Sequence, residues 1–257
     1  MKFSVVIPVH NEGRHIEAGI SRFIQTLPGD VAAVLMEIVL VENGSRDDTY
    51  DACCRSQEMF PNLVRVCRIP RGSYGEAIKK GMLESRGSHV CILECDLLES
   101  TFLAASMNVF RADRAQFVVG SKRHPHSLDG RPLKRRVLTA LYNFMFLRVM
   151  IGYPGTDTHG LKAIETAVAK RLCELAVTTD EIFQTEIVLL AWRLGVRIEE
   201  VPIRILEMRN PSVTVIRRVP KVLHTVRELK KSLARFSPNM AQVPNKTGHS
   251  HSYIAEP

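Results

Sequence analysis

A chain of 257 residues can bury a substantial core, and 45% hydrophobic with 24% charged residues is an ordinary globular composition. Lysine and arginine number 35 against 27 acidic residues, a formal net charge of +8, which favours an anionic partner: nucleotide phosphates, nucleic acid or an acidic membrane surface. Apolar runs stay shorter than the roughly 18 residues of a membrane-spanning helix, and the chain begins directly with a strand pattern, so neither a spanning helix nor a signal peptide is expected.

Strand and helix patterns alternate through the first 120 residues. Asn11 is a candidate N-cap of the first helix, and Ser45 with Asp48 three residues on resembles a capping box that opens the second. This rhythm, with short polar turns, predicts an α/β fold with a doubly wound, mostly parallel sheet flanked by helices. A phosphate-loop pattern and a Gly-x-Gly-x-x-Gly fingerprint are missing, which argues against a P-loop NTPase and an ordinary Rossmann dehydrogenase. Strands are predicted at 3–9, 36–41, 64–69, 89–96 and 115–119, and a last strand at 198–205.

Two acidic residues, Glu94 and Asp96, end the predicted fourth strand with one residue between them. Residues i and i+2 of an extended chain point to the same face. Ligands of open α/β sheets gather at the carboxyl ends of the strands, so this pair is placed to reach one ligand or one divalent cation. A solvated turn is the alternative interpretation.

Seven motifs follow one another along the chain. They are Val5-Val-Ile-Pro-Val-His-Asn-Glu12, Val41-Glu-Asn-Gly-Ser-Arg-Asp-Asp-Thr49, Ser73-Tyr-Gly-Glu-Ala-Ile-Lys-Lys-Gly81, Glu94-Cys-Asp96, Gly120-Ser-Lys122, Asp157-Thr-His-Gly-Leu-Lys162 and Glu200-Val-Pro-Ile203. In this order they resemble the motifs of family 2 glycosyltransferases with the GT-A fold, and within that family the polyprenol-phosphate (dolichol-phosphate) mannosyl- and glucosyltransferases. The acidic pair falls where the family has its Asp-x-Asp motif.

The resemblance implies an inverting hexosyltransferase whose GT-A catalytic domain, a Rossmann-like sheet flanked by helices, spans residues 1–215. Its donor would be a nucleotide-diphosphate sugar, GDP-mannose or UDP-glucose, its acceptor a polyprenyl phosphate, and nucleic acid would not be a partner. A divalent metal, Mg²⁺ or Mn²⁺, would be held by Asp96 and Glu94 and would neutralise the charge growing on the departing diphosphate. The residues implied in nucleotide-sugar binding are Pro8, His10, Glu12, Glu42, Gly72, Gly75, Glu94, Cys95 and Arg209.

Some of these residues also have a structural explanation. Glu12 could be an acid favoured at a helix start, and Gly72 and Gly75 could serve turns rather than a close backbone approach to the nucleotide. Departures from the family pattern fall at Asn43, Glu94, Leu98 and Gln184, and Glu99 is a candidate replacement in the metal shell.

A basic cluster precedes an apolar stretch at 137–151, as in a peripheral membrane enzyme whose cations meet lipid phosphates while the apolar face enters the interface. A buried domain helix with a solvated basic start is the alternative. By resemblance this region receives the lipid acceptor, and its phosphate would be bound by Lys122, Arg123, Arg135 and Arg136. A phosphate monoester is largely a dianion at neutral pH and needs no enzyme base, whereas a hydroxyl acceptor needs one.

Two further carboxylates, Asp157 and Glu186, are implied to be catalytic together with Asp96, by orienting the sugar or acting as base. For Glu186 an exposed helical acid is the alternative. The helix that carries it, predicted at 180–192, is expected to end at Gly195.

The C-terminal part is predicted to hold a basic amphipathic helix at 216–236, lying on the membrane or packed on the domain, and a disordered tail at 237–257. The six cysteines lack metal-ligand spacing and are expected to be reduced, which suits a cytoplasmic protein, here peripheral on the inner face of the membrane. Two other functions stay open: transfer to a soluble sugar or metabolite hydroxyl, and a degenerate domain that only binds nucleotide.

Overall fold

The computed structural model describes residues 1–70, 72–130, 147–148, 151–205, 229 and 233. Nine strands and seven helices are described in these ranges. The strands are β1 Phe3–Val9, β2 Leu35–Asn43, β3 Val64–Ile69, β4 His89–Ile92, β5 Phe117–Ser121, β6 Leu128–Asp129, β7 Lys162–Glu165, β8 Ile198–Pro202 and β9 Arg204–Ile205. The helices are α1 Ile16–Gln25, α2 Gly29–Ala32, α3 Thr49–Met59, α4 Tyr74–Glu84, α5 Ser100–Arg111, α6 Thr166–Leu175 and α7 Phe183–Arg193.

Seven strands form one sheet in the order β3-β2-β1-β4-β7-β5-β8. Every pairing is parallel except the two made by β7, which runs antiparallel to β4 and β5. The predicted mostly parallel sheet flanked by helices is therefore confirmed, while β7 and α6 lie in a stretch for which neither a strand nor a helix was predicted. The predicted last strand divides at Ile203 into β8 and β9, and β9 pairs with β6 in a separate two-stranded sheet.

The core lies on both faces of the sheet. On one face the strands pack against α1, α3 and α5, and on the other against α4, α6 and α7. Strand β1 serves both faces: Val5 and Ile7 belong to the first cluster and Val6 to the second, and all three are fully buried. A strand covered on both faces is apolar throughout, which explains why this strand was readable from sequence.

Four described residues of the C-terminal half tell where two apolar stretches pack. Leu147 and Ile151, from the predicted acceptor-side stretch, and Leu229 and Leu233, from the predicted amphipathic helix, are buried in the cluster with α4, α6 and α7. Apart from Arg148, the rest of these stretches and the predicted tail lie outside the described residues. Among the helices that the structure describes, none is long and apolar enough to span a bilayer.

The predicted caps of the first two helices are wrong. Helix α1 is preceded by His15 and α3 by Asp48, and neither N-cap side chain makes a capping hydrogen bond. Asn11 instead adopts a positive φ of 54°, and its amide oxygen accepts from Arg46 N at 3.0 Å. Ser45 Oγ accepts from Asn11 N, also at 3.0 Å. These polar side chains therefore tie the turn after β1 to the turn after β2, at the carboxyl edge of the sheet.

Candidate functional site

A pocket of about 530 Å³ opens at the carboxyl ends of β1, β2 and β4. Strand β1 lies between the other two, which is the place where open α/β sheets bind ligands because the connections leave in opposite directions. The pocket is lined by Pro8, His10, Glu12, Asn43, Gly72, Tyr74, Glu94, Cys95, Asp96, His159, Glu181 and Gln184. Seven predicted residues are thus brought together here: Pro8, His10, Glu12, Gly72, Glu94, Cys95 and Asp96.

Hydrogen bonds among three turns build one corner of the pocket. His10 Nδ1 lies 2.7 Å from Asn43 O, and the Asn43 side-chain oxygen accepts from Ser73 N at 2.6 Å. A Cβ on Gly72 would lie 3.4 Å from Asn43 O and 3.5 Å from His10 Cε1, so the turn passes close to both. Asn43, which the sequence had marked only as a departure from the family pattern, therefore organises this corner.

Glu42 lies outside the pocket lining, one residue before Asn43. Its carboxylate is fully buried, accepts from Ser45 N at 2.5 Å and pairs with Arg68 Nε at 2.9 Å. The Arg68 guanidinium also stacks over the ring of Tyr50 at 4.4 Å. These contacts fix the turn after β2, and the nucleotide-binding role of Glu42 stays a prediction.

The acidic pair sits on a turn rather than on a strand. Strand β4 ends at Ile92, and Leu97 N donates to Glu94 O at 2.9 Å, which closes a turn over residues 94–97. The predicted strand to Asp96 is therefore wrong, and so is the alternation used to place both side chains on one face. Both nevertheless line the pocket, because the turn leaves β4 at the same edge of the sheet.

The pocket wall is strongly acidic. Four lining residues are carboxylates, Glu12, Glu94, Asp96 and Glu181, and the described lining contains no lysine or arginine. Across the described ranges, no group of three or more His, Cys, Asp or Glu side chains is arranged to hold a metal ion. A pair of carboxylates is the protein donor set with which Mg²⁺ binds substrate phosphates, so the lining fits a cation whose shell the ligand completes.

A buried lysine that was not among the predicted site residues lies behind the pocket. Lys162 on β7 is fully buried, and its ammonium donates to Gly160 O at 2.9 Å and to Gln184 Oε1 at 2.7 Å. Desolvation lowers the pKa of Lys162 to about 7, although Asp157 and Glu94 pull it upward. Its position as the one charged residue in the otherwise apolar run Leu161–Ile164 is the sequence feature that could have indicated a buried lysine.

Asp157 organises the loop that leads into β7. Its carboxylate is almost fully buried, accepts from His159 N at 3.0 Å and from Lys122 N at 3.3 Å, and lies outside the pocket lining. His159, two residues on, lines the pocket. Lys122 is half-buried and Arg123 is exposed, and both follow β5 on this side. The catalytic role of Asp157 and the phosphate-binding role of the two cations stay predictions.

Glu186 is buried under the loop that precedes α7. Its carboxylate accepts from Val177 N at 3.1 Å and from Thr178 N at 2.8 Å. The loop then passes Gly75, where a Cβ would lie 2.4 Å from Asp180 O. The close backbone approach that this glycine permits is therefore to the loop, which carries Glu181 into the pocket. Predicted roles for Glu186 in catalysis and Gly75 in nucleotide binding remain predictions, and Arg135, Arg136 and Arg209 lie outside the described residues.

Two further predictions concern Glu99, the candidate replacement in the metal shell, and Gly195, the predicted end of a helix. Glu99 lies outside the pocket lining, and its carboxylate accepts from Thr101 Oγ1 at 2.6 Å at the start of α5. Gly195 has a φ of 72° directly after α7 and its cap, which confirms the predicted end of that helix.

Comparison with known proteins gives a family model and named relatives. The model of glycosyl transferase family 2 matches residues 4–169. Glycosyltransferase AglD of Haloferax volcanii is 25% identical over 205 residues, which are 79% of this chain and 33% of the relative. Dolichyl-phosphate beta-glucosyltransferase of Saccharomyces cerevisiae is 27% identical over 220 residues, covering 78% of this chain and 65% of the relative. The chain thus spans between one third and two thirds of these relatives.

Solved structures show the same fold. Glucosyl-3-phosphoglycerate synthase from Mycobacterium tuberculosis superposes with a TM-score of 0.62 at 21% identity, over 91% of this chain and 80% of that one. Its complex with Mn²⁺, uridine diphosphate and glucosyl-3-phosphoglycerate gives a TM-score of 0.63 at the same identity and coverage. At this identity the likeness concerns the fold alone, and it confirms the predicted GT-A architecture.

Proposed function

Because the chain belongs to glycosyl transferase family 2, we propose that it moves a hexose, glucose or mannose, from a nucleotide-diphosphate sugar to a polyprenyl phosphate at the cytoplasmic face of a membrane. The observation that carries the proposal is the acidic pocket at the carboxyl ends of β1, β2 and β4, whose lining includes Glu94 and Asp96 together with His10 and Asn43. Relatives named dolichyl-phosphate beta-glucosyltransferase support the acceptor, and the complexes of a solved neighbour with uridine diphosphate support the donor class.

In this proposal the nucleoside occupies the corner built by Pro8, His10, Asn43 and Gly72. The diphosphate then faces Glu94 and Asp96, and the sugar reaches toward His159 and Glu181. A divalent cation, when bound, would neutralise the diphosphate and the charge that develops on it as it leaves. Asp96 is the more exposed of the acidic pair and is the proposed principal ligand, with Glu94, one methylene longer than aspartate, as its helper.

The acceptor phosphate approaches from the side of β5 and β7, where Lys122 and Arg123 follow β5. The dianion attacks the anomeric carbon as the diphosphate leaves, so inversion needs positioning and charge neutralisation rather than a base. Asp157 and Glu186 then act through their buried hydrogen bonds: Asp157 holds the loop that presents His159, and Glu186 holds the loop that presents Glu181.

A second candidate is the same transfer to a small soluble acceptor. The burial of Leu147, Ile151, Leu229 and Leu233 in the domain core favours it, because these apolar side chains are withdrawn from any membrane interface. In the first proposal, membrane attachment therefore depends mainly on lysine and arginine side chains that contact lipid phosphates, and this attachment should weaken with added salt.

A transfer assay separates the two candidates. The protein is incubated with radiolabelled UDP-glucose or GDP-mannose and Mn²⁺, with either a short polyprenyl phosphate or 3-phosphoglycerate as acceptor. We expect label in the organic extract with the lipid, and none after Asp96→Ala. Glu99→Gln is the matched control, because it removes a nearby acid that does not line the pocket. Label only in the water-soluble product would establish the second candidate, and no product from either donor would refute both.

A further inference from the structure

The hydroxyl of Tyr74 is a hydrogen-bond donor without a described acceptor in the pocket wall. Tyr74 is the first residue of α4, its ring packs partly against the core, and it lines the pocket. Within the part of the chain that the structure describes, this hydroxyl has one hydrogen-bond partner, Gln184 Nε2 at 2.6 Å. The direction of that hydrogen bond decides what the hydroxyl can do for a ligand.

The direction is fixed by groups behind Gln184. Its amide oxygen accepts from Gly160 N at 3.0 Å and from Lys162 Nζ at 2.7 Å. Both of these groups are donors, so the opposite orientation of the amide would place its NH₂ group against two N–H groups. Lys162 is fully buried and anchored at its second contact, Gly160 O. The NH₂ group of Gln184 must therefore face Tyr74.

An amide NH₂ group can only donate, so the Tyr74 oxygen accepts and its own proton is left for another partner. Burial, together with the carboxylates of Glu94 and Asp96, raises the pKa of Tyr74, so the phenol keeps this proton. The two carboxylates line the same pocket without a described hydrogen bond to Tyr74. A neutral donor thus stands in a wall otherwise rich in acceptors.

We propose that Tyr74 donates this hydrogen bond to an oxygen of the nucleotide sugar, on its diphosphate or its sugar, and that Gln184 and Lys162 are positioning residues that keep the hydroxyl in the donor role. The inference rests on the proposed function, since it takes the ligand of the pocket to be a nucleotide sugar. The Tyr74 hydroxyl would thus attract an oxygen of the ligand, whereas the carboxylates of the same wall would repel it.

Calorimetric titration of four proteins tests the polarity of this hydrogen bond. Wild type, Tyr74→Phe, Gln184→Glu and the double variant are titrated with UDP and UDP-glucose, and with GDP and GDP-mannose, in the presence of Mn²⁺. Tyr74→Phe is expected to raise the Kd of UDP-glucose or GDP-mannose about 10-fold. In Gln184→Glu the carboxylate at position 184 can accept a hydrogen bond from the Tyr74 hydroxyl, which then no longer donates to the ligand. Adding Tyr74→Phe to that variant should therefore cost no further affinity.

Comparison of the ligands locates the acceptor oxygen. A loss seen with the free nucleoside diphosphate as well assigns it to the diphosphate, and a loss confined to the nucleotide sugar assigns it to the sugar. Tyr50→Phe, at a tyrosine outside the pocket, is the matched control and should bind as wild type does.

Two results would overturn the inference while leaving the proposed function intact. One is a Tyr74→Phe protein that binds as tightly as wild type. The other is an equal loss on Tyr74→Phe with and without Gln184→Glu, which would mean that Tyr74 acts by packing alone. A wild-type protein that binds none of the four nucleotides would instead refute the proposed function, and the inference with it.

Discussion

Replacing Lys162 by methionine is expected to stabilise the protein at neutral pH, by an amount that follows from the burial of the ammonium. Desolvation lowers the pKa of Lys162 from 10.5 to about 7 in the folded protein. In the unfolded chain water solvates the same group, which keeps its proton to about pH 10.4. Between these pH values the unfolded chain binds more protons than the folded protein, so the stability of the wild type rises with pH.

The magnitude is set by two opposing contributions. The lower pKa of Lys162 in the folded state reduces the free energy of unfolding by on the order of 4 kcal/mol at pH 7 and by about 2 kcal/mol at pH 9. Methionine removes this cost but loses the hydrogen bonds to Gly160 O and Gln184 Oε1, worth about 1 kcal/mol each. Lys162→Met should therefore gain about 2 kcal/mol at pH 7, which corresponds to a rise in Tm of roughly 4 to 8 °C, and almost nothing at pH 9.

Urea denaturation followed by circular dichroism at pH 6, 7, 8 and 9 measures this difference in unfolding free energy. The dependence on urea should be the same for both proteins, so that the midpoints can be compared. Lys80→Met, on the outer side of α4 where water solvates the ammonium in both states, is the control and should differ from wild type by a constant amount. A gap between Lys162→Met and wild type that does not change from pH 6 to 9 would refute the assignment of a buried, largely uncompensated charge.

Three other substitutions test contacts around the pocket. Asp96→Asn should abolish the Mn²⁺-dependent part of nucleotide binding in calorimetry and leave Tm unchanged, because this side chain is exposed; retained metal dependence would contradict its role as ligand. Gly75→Ala should lower the unfolding free energy by about 2 kcal/mol, because the added Cβ would lie 2.4 Å from Asp180 O. Gly29→Ala, with open space around the added Cβ, is the control and should not lower it. Equal stabilities of the two variants would mean that the loop moves aside at no cost. Glu186→Ala should cost about 3 kcal/mol in urea denaturation by leaving loop donors unpaired, and a neutral result would deny it the positioning role.

The parts of the fold that were predicted from the sequence are those governed by local pattern. Strands β1 and β3 were predicted at their observed bounds, because both are short apolar-rich runs bounded by turn residues. The end of α7 at Gly195 was predicted because a left-handed residue after a helix favours glycine. The position of the acidic pair at the sheet edge was also right, although the reasoning from strand alternation was wrong, since β4 ends at Ile92, four residues earlier than expected.

Missed features depend on partners that are distant along the chain. Strand β7 has four residues and begins with Lys162, whose buried ammonium relies in part on an acceptor from Gln184, on α7, 22 residues further along the chain. Asn11 and Ser45 have the residue types of helix caps, but in the folded chain each bonds to the other's turn. The sequence shows the hydrogen-bonding capacity of such side chains and not which of several partners will be within reach.

Charge leads us to expect that the proposed binding of a nucleotide-diphosphate sugar in this pocket depends on a divalent cation. A nucleotide-diphosphate sugar brings about two negative charges to a wall that carries Glu12, Glu94, Asp96 and Glu181. The positive side chains described on the side of β5 and β7 include Lys122 and Arg123, which follow β5, and Lys162, which is fully buried and whose pKa desolvation lowers to about 7. None of the three is part of the lining, so repulsion should keep nucleotide affinity low until a divalent cation joins the acidic pair. Binding of metal and nucleotide is therefore expected to be mutually dependent, each raising the affinity for the other by the same factor.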